Sequence, residues 1–386
     1  MVTVMSVTTR SRAALLALVF LLPVACGDDN SSSSDSVATT DTSVTIVAPG
    51  VTEAPAPTST QPVEQWDKIV APPDCMCSDG SEFSLFVRHA STSKVLLFFQ
   101  GGGACFDVDG CDPTSGLYLP RVLPPAALGT GKGIFDFDNP DNPFADFSVV
   151  FVPYCTGDVH LGNSVHDYGV NDVGSEVIVH HNGYVNGTQA VTTLVELFPD
   201  ADQIVVAGES AGGVPTPLYA GLVHDQLADA RITVIADGSG AYPDVPSINA
   251  FIGGLWGTVN AIPDWPENAD VTPENWSLPG LFVRASAHDP AITFARHDYA
   301  FDKTQAFFGA LAGVDADQLV TLIDLNETQI EASGATLFSF ISPGNSHTVL
   351  SKPAFYTETL DGISLRDWVA ALVAGTPVTD VHCTEC

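Results

Sequence analysis

The sequence predicts an α/β fold, a three-layer sandwich in which helices cover both faces of a mostly parallel central sheet. Two observations predict it. Short, continuous apolar runs recur along the chain after residue 94, and segments with helical length and spacing separate them. Continuous apolar runs are typical of strands buried on both faces, and alternating strands and helices are typical of parallel sheets.

The individual elements follow from these runs. Strands are predicted at residues 95–99, 147–152, 204–207, 232–236, 292–295 and 337–341, and helices at residues 186–198 and 215–230. An insertion between Asp244 and Pro279 interrupts the pattern and carries Trp256, Trp265 and Trp276. Large aromatic side chains in such a lid-like insertion either line a ligand site or pack as core, and the sequence leaves both interpretations open.

The N-terminal segment predicts export and a lipid anchor. Residues 1–26 carry Arg10 and Arg12, followed by an uncharged apolar run that is too short to span a bilayer and that ends at Cys26. This arrangement is typical of a bacterial lipoprotein signal, so we expect lipidation of Cys26, with ordinary signal cleavage as the alternative. Residues 27–66 are rich in Ser, Thr and Pro. They bury too little apolar surface to fold, which predicts a disordered tether before a domain at residues 67–386.

The charge balance excludes one class of partner. Lys and Arg number 13 against 46 Asp and Glu, a formal net charge of −33. Nucleic acid is excluded because few cations are present to neutralise phosphates, and strongly polyanionic substrates are disfavoured by the same field. We expect a monomeric protein at the cell surface or in the periplasm that contacts the membrane through its lipid anchor only, or a fully secreted protein if the anchor is absent.

Seven cysteines follow Cys26. In an exported chain, cysteines are first interpreted as disulfides, and an odd number leaves one thiol free or paired elsewhere. A zinc site formed by Cys75 and Cys77 with Cys383 and Cys386 is an alternative, but the first pair is spaced more closely than zinc ligands usually are. No metal or organic cofactor is expected.

The sequence Gly-Glu-Ser-Ala-Gly at residues 208–212 directly follows a predicted strand and precedes a helical segment. A G-x-S-x-G sequence in this position is typical of a nucleophile elbow, in which glycines permit the strained turn that lifts the serine hydroxyl of Ser210 above the sheet. Such a hydroxyl needs a base and donors for an oxyanion. The glycine-rich residues 101–104 follow another predicted strand, where their backbone N–H groups, together with that of Ala211, would act as donors.

His347 is the predicted base because it follows the last predicted strand, residues 337–341, and the order serine, acid, histidine is typical of α/β-hydrolases. The acid is expected after the preceding strand, where Asp298 and Asp302 are candidates. Asp237, which follows the strand at residues 232–236, is a third candidate. The residues alone leave these three alternatives open.

Several segments together resemble the pectin acetylesterase and Notum family of serine esterases over about residues 75–370. They are CSDGS (77–81), FFQGGGACFDVDGC (98–111), VVFVPYCTGDVH (149–160), GESAGG (208–213), IADGSG (235–240), YAFDKTQ (299–305) and SHTVL (346–350). The combination is specific, although each piece alone is not. Relatives carry a bulky aromatic residue after the first two glycines of residues 101–104, and this chain has Gly103 there.

The resemblance implies an α/β-hydrolase fold and roles for several residues. It implies a catalytic triad of Ser210, Asp302 and His347, and oxyanion donors at Gly102, Gly103 and Ala211. It also implies disulfides between Cys77 and Cys155 and between Cys105 and Cys111. Cys75 would then be available to pair with Cys383 or Cys386, although a bridge between the last two is equally open.

The activity that the resemblance implies is hydrolysis of carboxylic esters, with O-acetylated polysaccharide as the expected substrate. A broader carboxylesterase or lipase that acts on lipid acyl groups or polyesters is the alternative. A catalytically inactive lipoprotein that binds at the cell surface is an alternative from another class.

Overall fold

The computed structural model describes residues 66–123, 131–242, 244–383 and 386. The predicted signal segment, the lipidation site Cys26 and residues 27–65 of the predicted tether lie outside the described residues. Among the helices that the structure describes, none combines the length and the apolar composition needed to cross a bilayer.

Nine of the described strands form one sheet in the order β1-β2-β4-β3-β7-β8-β9-β10-β13. Neighbouring strands from β4 to β13 are parallel, whereas β2 is antiparallel to both β1 and β4. The strands are β1 (Asp67–Val70), β2 (Ser84–Arg88), β3 (Lys94–Phe99), β4 (Ser148–Val152), β7 (Gln203–Glu209), β8 (Arg231–Asp237), β9 (Thr293–Tyr299), β10 (Leu337–Ser342) and β13 (Val381–His382). Two hairpins lie outside this sheet, β5 (Ser164–Val170) with β6 (Glu176–His181) and β11 (Thr359–Leu360) with β12 (Ile363–Ser364).

Helices cover both faces of the sheet. They are α1 (Gly183–Leu197), α2 (Thr216–His224), α3 (Pro246–Trp256), α4 (Leu278–His288), α5 (Lys303–Leu311), α6 (Leu319–Ala332) and α7 (Leu365–Ala374). Strand β3 shows why the apolar runs are continuous. Its residues Val95, Leu97 and Phe99 belong to the core beneath α1 and α2, and its residues Leu96 and Phe98 belong to the core beneath α7. The predicted three-layer α/β sandwich is confirmed.

Two predicted elements differ from those observed by four or more residues at one end. The strand predicted at residues 292–295 continues to Tyr299, because its polar residues Arg296, His297 and Asp298 have buried partners. The helix predicted at residues 215–230 ends at His224. Residues beyond it turn tightly towards β8, with the N–H groups of Leu227 and Ala230 donating to carbonyls three or four residues earlier.

The three tryptophans of the insertion are buried. Trp256, Trp265 and Trp276 are each 6–7% exposed and belong to a third apolar cluster that also contains Cys105 and Cys111. The core interpretation therefore holds for all three, and Trp256 and Trp276 also line a cavity described below.

Strands β3, β7, β8, β9 and β10 are parallel, so their carboxyl ends meet at one edge of the sheet. The segments that leave these strands carry the glycine-rich residues 101–103, Ser210, Asp237, Asp302 and His347. Parallel topology thus brings together residues that are up to 246 positions apart in sequence, from 101 to 347.

Candidate active site

Ser210 lies in a strained turn between β7 and α2. Its φ of 55° is in the left-handed region, which a residue with a side chain occupies at a cost of roughly 1–3 kcal/mol. Residues Ser210–Gly212 form a short 3₁₀ turn. A Cβ atom on Gly212 would collide with the carbonyl group of Phe99, so the turn packs this closely on β3 only with glycine. Ser210 lines a cavity of about 710 Å³ that His347 also lines.

His347 is held by Asp302. Its Nδ1 atom donates to Oδ2 of Asp302 over 2.6 Å, and Asp302 is fully buried. The other carboxylate oxygen of Asp302 caps α5 by accepting from the N–H groups of Thr304 and Gln305. In the neutral ring with the proton of this bond on Nδ1, Nε2 of His347 holds a lone pair. Nε2 is buried and has no hydrogen-bond partner among the described residues.

The other two candidate acids have different partners. Asp298 accepts hydrogen bonds from the N–H of Gly240 and from the side chain of Gln305, and burial raises its pKa. Asp237 pairs with Nδ1 of His297 at 2.8 Å and accepts from backbone N–H groups just after His347. Of the three acids, Asp302 is the one that contacts His347.

The glycine-rich residues 101–103 line the same cavity as Ser210. Gly103 has a φ of +79°, and a Cβ atom there would collide with the carbonyl of Leu117. The carbonyl of Gln100, directly before the glycines, accepts a hydrogen bond from Nε2 of His160 at 2.9 Å. Burial lowers the pKa of His160 to about 4, so its ring is neutral and carries its proton on Nε2. Ala211 follows Ser210 and is buried.

The loop that supports His160 was missed by the sequence reasoning as a functional feature. Val159 and His160 both have positive φ, of 50° and 59°. The fully buried Asp158 stabilises this conformation by accepting from the side chain of Thr156 and from the N–H groups of His160 and Gly183. Burial raises the pKa of Asp158 to about 6. The sequence signal for this loop was the segment at residues 149–160, which resembles the family but was given no role beyond the disulfide at Cys155.

Two disulfides link Cys77 to Cys155 and Cys105 to Cys111, the pairs that the resemblance implies. The second closes a loop whose continuation, residues 113–120, lines the wall of the catalytic cavity. The sulfur atoms of Cys383 and Cys386 lie next to each other, and Cys75 is a buried free thiol. Of the alternatives that the sequence left open, the structure therefore pairs Cys383 with Cys386 and leaves Cys75 unpaired.

Three groups of described side chains approach the spacing of metal ligands. One contains the disulfide-bonded Cys105 and Cys111, whose sulfurs are already paired. The other two share Glu327, which already accepts a hydrogen bond from Arg296 and lies beside His382. None of the three groups lines the catalytic cavity.

A second cavity, of about 120 Å³, has apolar walls. Its lining includes Ala104, next to the glycine-rich residues, and side chains of α3 and α4. Phe308 of α5 lines both this cavity and the one that contains Ser210. The two cavities are therefore neighbours separated by an aromatic side chain.

Comparison with known proteins identifies similar sequences and a similar fold. The sequence profile of the Pectinacetylesterase family matches residues 67–253. The inactive palmitoleoyl-protein carboxylesterase notum1b of Danio rerio is 31% identical over 116 residues, which cover 28% of this chain and 82% of that protein. The chain belongs to the pectin acetylesterase and Notum family.

Other family members match over a smaller share of their length. Palmitoleoyl-protein carboxylesterase notum1 of Xenopus laevis is 30% identical over 162 residues, 40% of this chain and 31% of that protein. The human NOTUM carboxylesterase is 29% identical over 39% of this chain and 30% of its own length. The chain thus matches under a third of these two relatives. The crystal structure of the Wnt deacylase Notum from Drosophila is similar in fold, with a TM-score of 0.56 and 17% identity, and the match covers 82% of this chain and 95% of that one.

Proposed function

We propose that this protein is a serine carboxylesterase in which Ser210 is the nucleophile, His347 the base and Asp302 the acid. One observation carries the proposal. Asp302 holds His347 through Nδ1, Nε2 of His347 has no hydrogen-bond partner among the described residues, and His347 lines the same cavity as the strained Ser210. A base oriented in this way and a serine raised on a tight turn are what acyl transfer requires.

The reaction proceeds in two steps. Nε2 of His347 takes the proton of the Ser210 hydroxyl as Oγ attacks the ester carbonyl carbon, and the backbone N–H groups of Gly102, Gly103 and Ala211 stabilise the oxyanion. His347 then returns the proton to the leaving alcohol, which yields an acyl-enzyme. Water attacks this ester, gives its proton to His347, and the carboxylic acid leaves as Ser210 recovers its hydroxyl.

The expected substrate is an O-acetylated polysaccharide without strong negative charge. None of the described residues that line the catalytic cavity is Lys or Arg, whereas Glu209 does line it. With a net charge of −33, the protein repels polyanions, and nothing in the described cavity wall offsets that repulsion. A wide cavity of about 710 Å³ suits sugar rings better than a narrow acyl tunnel would.

A specific observation favours a second candidate, hydrolysis of lipid acyl esters. The apolar cavity beside Ala104 is separated from the catalytic cavity by Phe308, and its walls would accept a hydrocarbon chain. The names of the vertebrate relatives, palmitoleoyl-protein carboxylesterases, support this candidate because they refer to a lipid acyl ester. A relative named as inactive also makes the third alternative concrete, a surface-binding protein without catalysis.

Hydrolysis of p-nitrophenyl esters tests the activity. Ser210→Ala is expected to lower kcat by about 10⁴–10⁶-fold, because the nucleophile acts as a unit with its base. Ser175→Ala, at an exposed position beyond β5, is the matched control and should leave kcat unchanged. Full activity of Ser210→Ala would contradict the proposal.

A chain-length series separates the two substrate candidates. An acetyl esterase should show its highest kcat/KM with C2 and C4 esters, and a lipid esterase with C8 or longer esters. Ala104→Phe would add a large side chain to the lining of the apolar cavity. It should lower kcat/KM for a C8 ester much more than for a C2 ester only if that cavity holds the acyl chain.

We also propose that the enzyme domain is exported and anchored through a lipid at Cys26, with residues 27–65 as a flexible spacer. The predicted boundary at residue 66 shifts by one position, because Trp66 packs against Phe135 and Phe151 of the domain. The disulfides Cys77–Cys155 and Cys105–Cys111 fit an oxidising compartment outside the cytoplasm. Cys26→Ser should move the protein from the membrane fraction to the soluble fraction and abolish labelling by radioactive palmitate. Unchanged membrane association would contradict the anchor.

A further inference from the structure

Two carboxylates hold the segment that follows His347. Glu209 ends β7 and Asp237 ends β8, and the two residues are directly opposite each other in the register of the parallel pair. Side chains at opposed positions of neighbouring parallel strands point to the same face of the sheet. Both carboxylates therefore reach the same chain segment, residues 349–351.

Together they accept hydrogen bonds from three successive backbone N–H groups. Oδ2 of Asp237 accepts from Val349 at 2.7 Å and from Leu350 at 2.9 Å. Oε1 of Glu209 accepts from the N–H of Ser351 at 2.7 Å, and Oε2 accepts from the hydroxyl of Ser351 at 2.8 Å. The backbone just after His347 is thus fixed to the carboxyl ends of two adjacent strands.

Glu209 differs from Asp237 in its place in the chain. Asp237 is fully buried and paired with His297, so it anchors the segment from within the core. Glu209 directly precedes Ser210 and lines the catalytic cavity. Its bonds to Ser351 therefore connect the residue beside the nucleophile to a residue four positions after the base.

We propose that Glu209 is a positioning residue that fixes the distance between Ser210 and His347 by holding Ser351 through both oxygens of its carboxyl group. The inference rests on the proposed function of Ser210 and His347. A displacement of about 1 Å between reacting groups lowers rates by roughly 10²-fold, so the loss of this connection should lower kcat.

The protonation state of Glu209 indicates which substitution should preserve its hydrogen bonds to Ser351. Burial, together with the neighbouring carboxylate of Asp237, raises the pKa of Glu209 to about 7, while Lys352 opposes the shift. Near neutral pH both its forms are therefore populated. The ionised form accepts both bonds from Ser351, and the protonated form accepts the N–H while donating its O–H to Oγ of Ser351. A glutamine side chain reproduces the second pattern, with its amide oxygen as acceptor and its NH₂ group as donor.

Steady-state kinetics on full-length variants test the proposal with a soluble p-nitrophenyl ester. Glu209→Ala should lower kcat by about 10–100-fold with KM changed by less than about threefold. Glu209→Gln should restore kcat to within about threefold of the natural enzyme. Ser351→Ala, which removes only the hydroxyl bond, should cause an intermediate loss, and it keeps the test decisive if Glu209→Ala does not fold.

Val191→Ala in α1 is the matched control for lost stability, because Val191 is buried in the core beneath α1, whereas Val349 and Leu350 belong to the core on the other face of the sheet. It should lower the midpoint of thermal unfolding while leaving kcat unchanged. The proposal is overturned if Glu209→Ala keeps the kcat of the natural enzyme, or if Glu209→Gln is as impaired as Glu209→Ala. Ser210→Ala separates failure of the proposed function from failure of the positioning role. Retained activity in Ser210→Ala would overturn the proposed function independently of the result for Glu209→Ala.

Discussion

Nδ1 of His347 donates a hydrogen bond to Oδ2 of Asp302 over 2.6 Å, although the two residues are 45 positions apart in sequence. The contact depends on adjacent parallel strands, since Asp302 follows β9 and His347 follows β10. Asp302 is oriented by the first turn of α5, whose N–H groups bind its other oxygen. The acid is therefore rigid before any substrate binds.

Asp302→Asn should lower kcat by about 10³–10⁴-fold with little change in KM, because an amide no longer favours the tautomer of His347 that leaves Nε2 unprotonated. Asp298→Asn is the matched control. Asp298 is equally buried and also contacts Gln305, but it does not contact His347, so its kcat should fall by less than about tenfold. Equal losses in the two variants would contradict the assignment of the acid.

The glycine-rich residues offer a second matched pair. Gly103 and Gly116 have similar positive φ values, +79° and +74°, but a Cβ atom would collide with the carbonyl of Leu117 at Gly103 and would meet nothing within 4 Å at Gly116. Both alanine variants should lose about 1–2 kcal/mol of stability from backbone strain, and Gly103→Ala should lose more because of the collision. Only Gly103→Ala should also lose kcat, at least tenfold, because relieving the collision requires a shift of residues 101–103 or of Leu117, which line the cavity with Ser210. Urea unfolding and ester hydrolysis measure the two effects.

Much of this site follows from sequence because its parts lie where strands end. The apolar runs at residues 95–99, 204–207 and 337–341 predicted the strands that carry the glycines, Ser210 and His347, since strands buried on both faces leave a continuous apolar signal. The hairpin β5–β6 left no such signal, because exposed residues interrupt its buried and partly buried ones, so no continuous apolar run forms.

The choice among Asp237, Asp298 and Asp302 could not be made from the chain order alone. All three lie at or near the carboxyl ends of strands at the same sheet edge, and which of them reaches His347 depends on side-chain direction at that edge. The role of Glu209 was hidden for a similar reason. Its partner Ser351 is 142 positions away, and no local pattern marks a contact between the ends of distant strands.

The disulfides Cys77–Cys155 and Cys105–Cys111 should contribute different amounts to the free energy of unfolding. Removing Cys77–Cys155 by serine substitution should cost about 4.5 kcal/mol, because this disulfide closes a loop of 78 residues in the unfolded chain. Removing Cys105–Cys111, which closes a loop of 6 residues, should cost about 2 kcal/mol. Urea titration of the two double variants measures the difference. A larger loss for the shorter loop would show that Cys105–Cys111 acts mainly by holding the native cavity wall.

The buried Asp158 makes stability depend on pH. Burial raises its pKa from 3.8 to about 6, so the folded state binds this proton more tightly than the unfolded state does. Its contribution to stability is therefore greatest below pH 4 and is lost as pH rises to about 6, a change of about 3 kcal/mol. Asp158→Asn lacks this change.

The measurement is the free energy of unfolding of the natural protein minus that of Asp158→Asn, by urea titration at each pH. The difference should fall by about 3 kcal/mol between pH 4 and pH 7. Contributions with the opposite slope from His160 and His181, whose pKa values burial lowers to about 4, are common to both proteins and cancel in the difference. If this difference in the free energy of unfolding stays constant from pH 4 to pH 7, burial of Asp158 does not make stability depend on pH.

The central claim is that Ser210 is a nucleophile activated by His347, and covalent labelling tests it most directly. A fluorophosphonate probe should attach to one serine, which peptide mass spectrometry should identify as Ser210. Labelling should vanish in Ser210→Ala and slow at least 10³-fold in His347→Ala, while Ser175→Ala labels like the natural protein. Labelling that persists in Ser210→Ala, or that maps to another residue, would contradict the account.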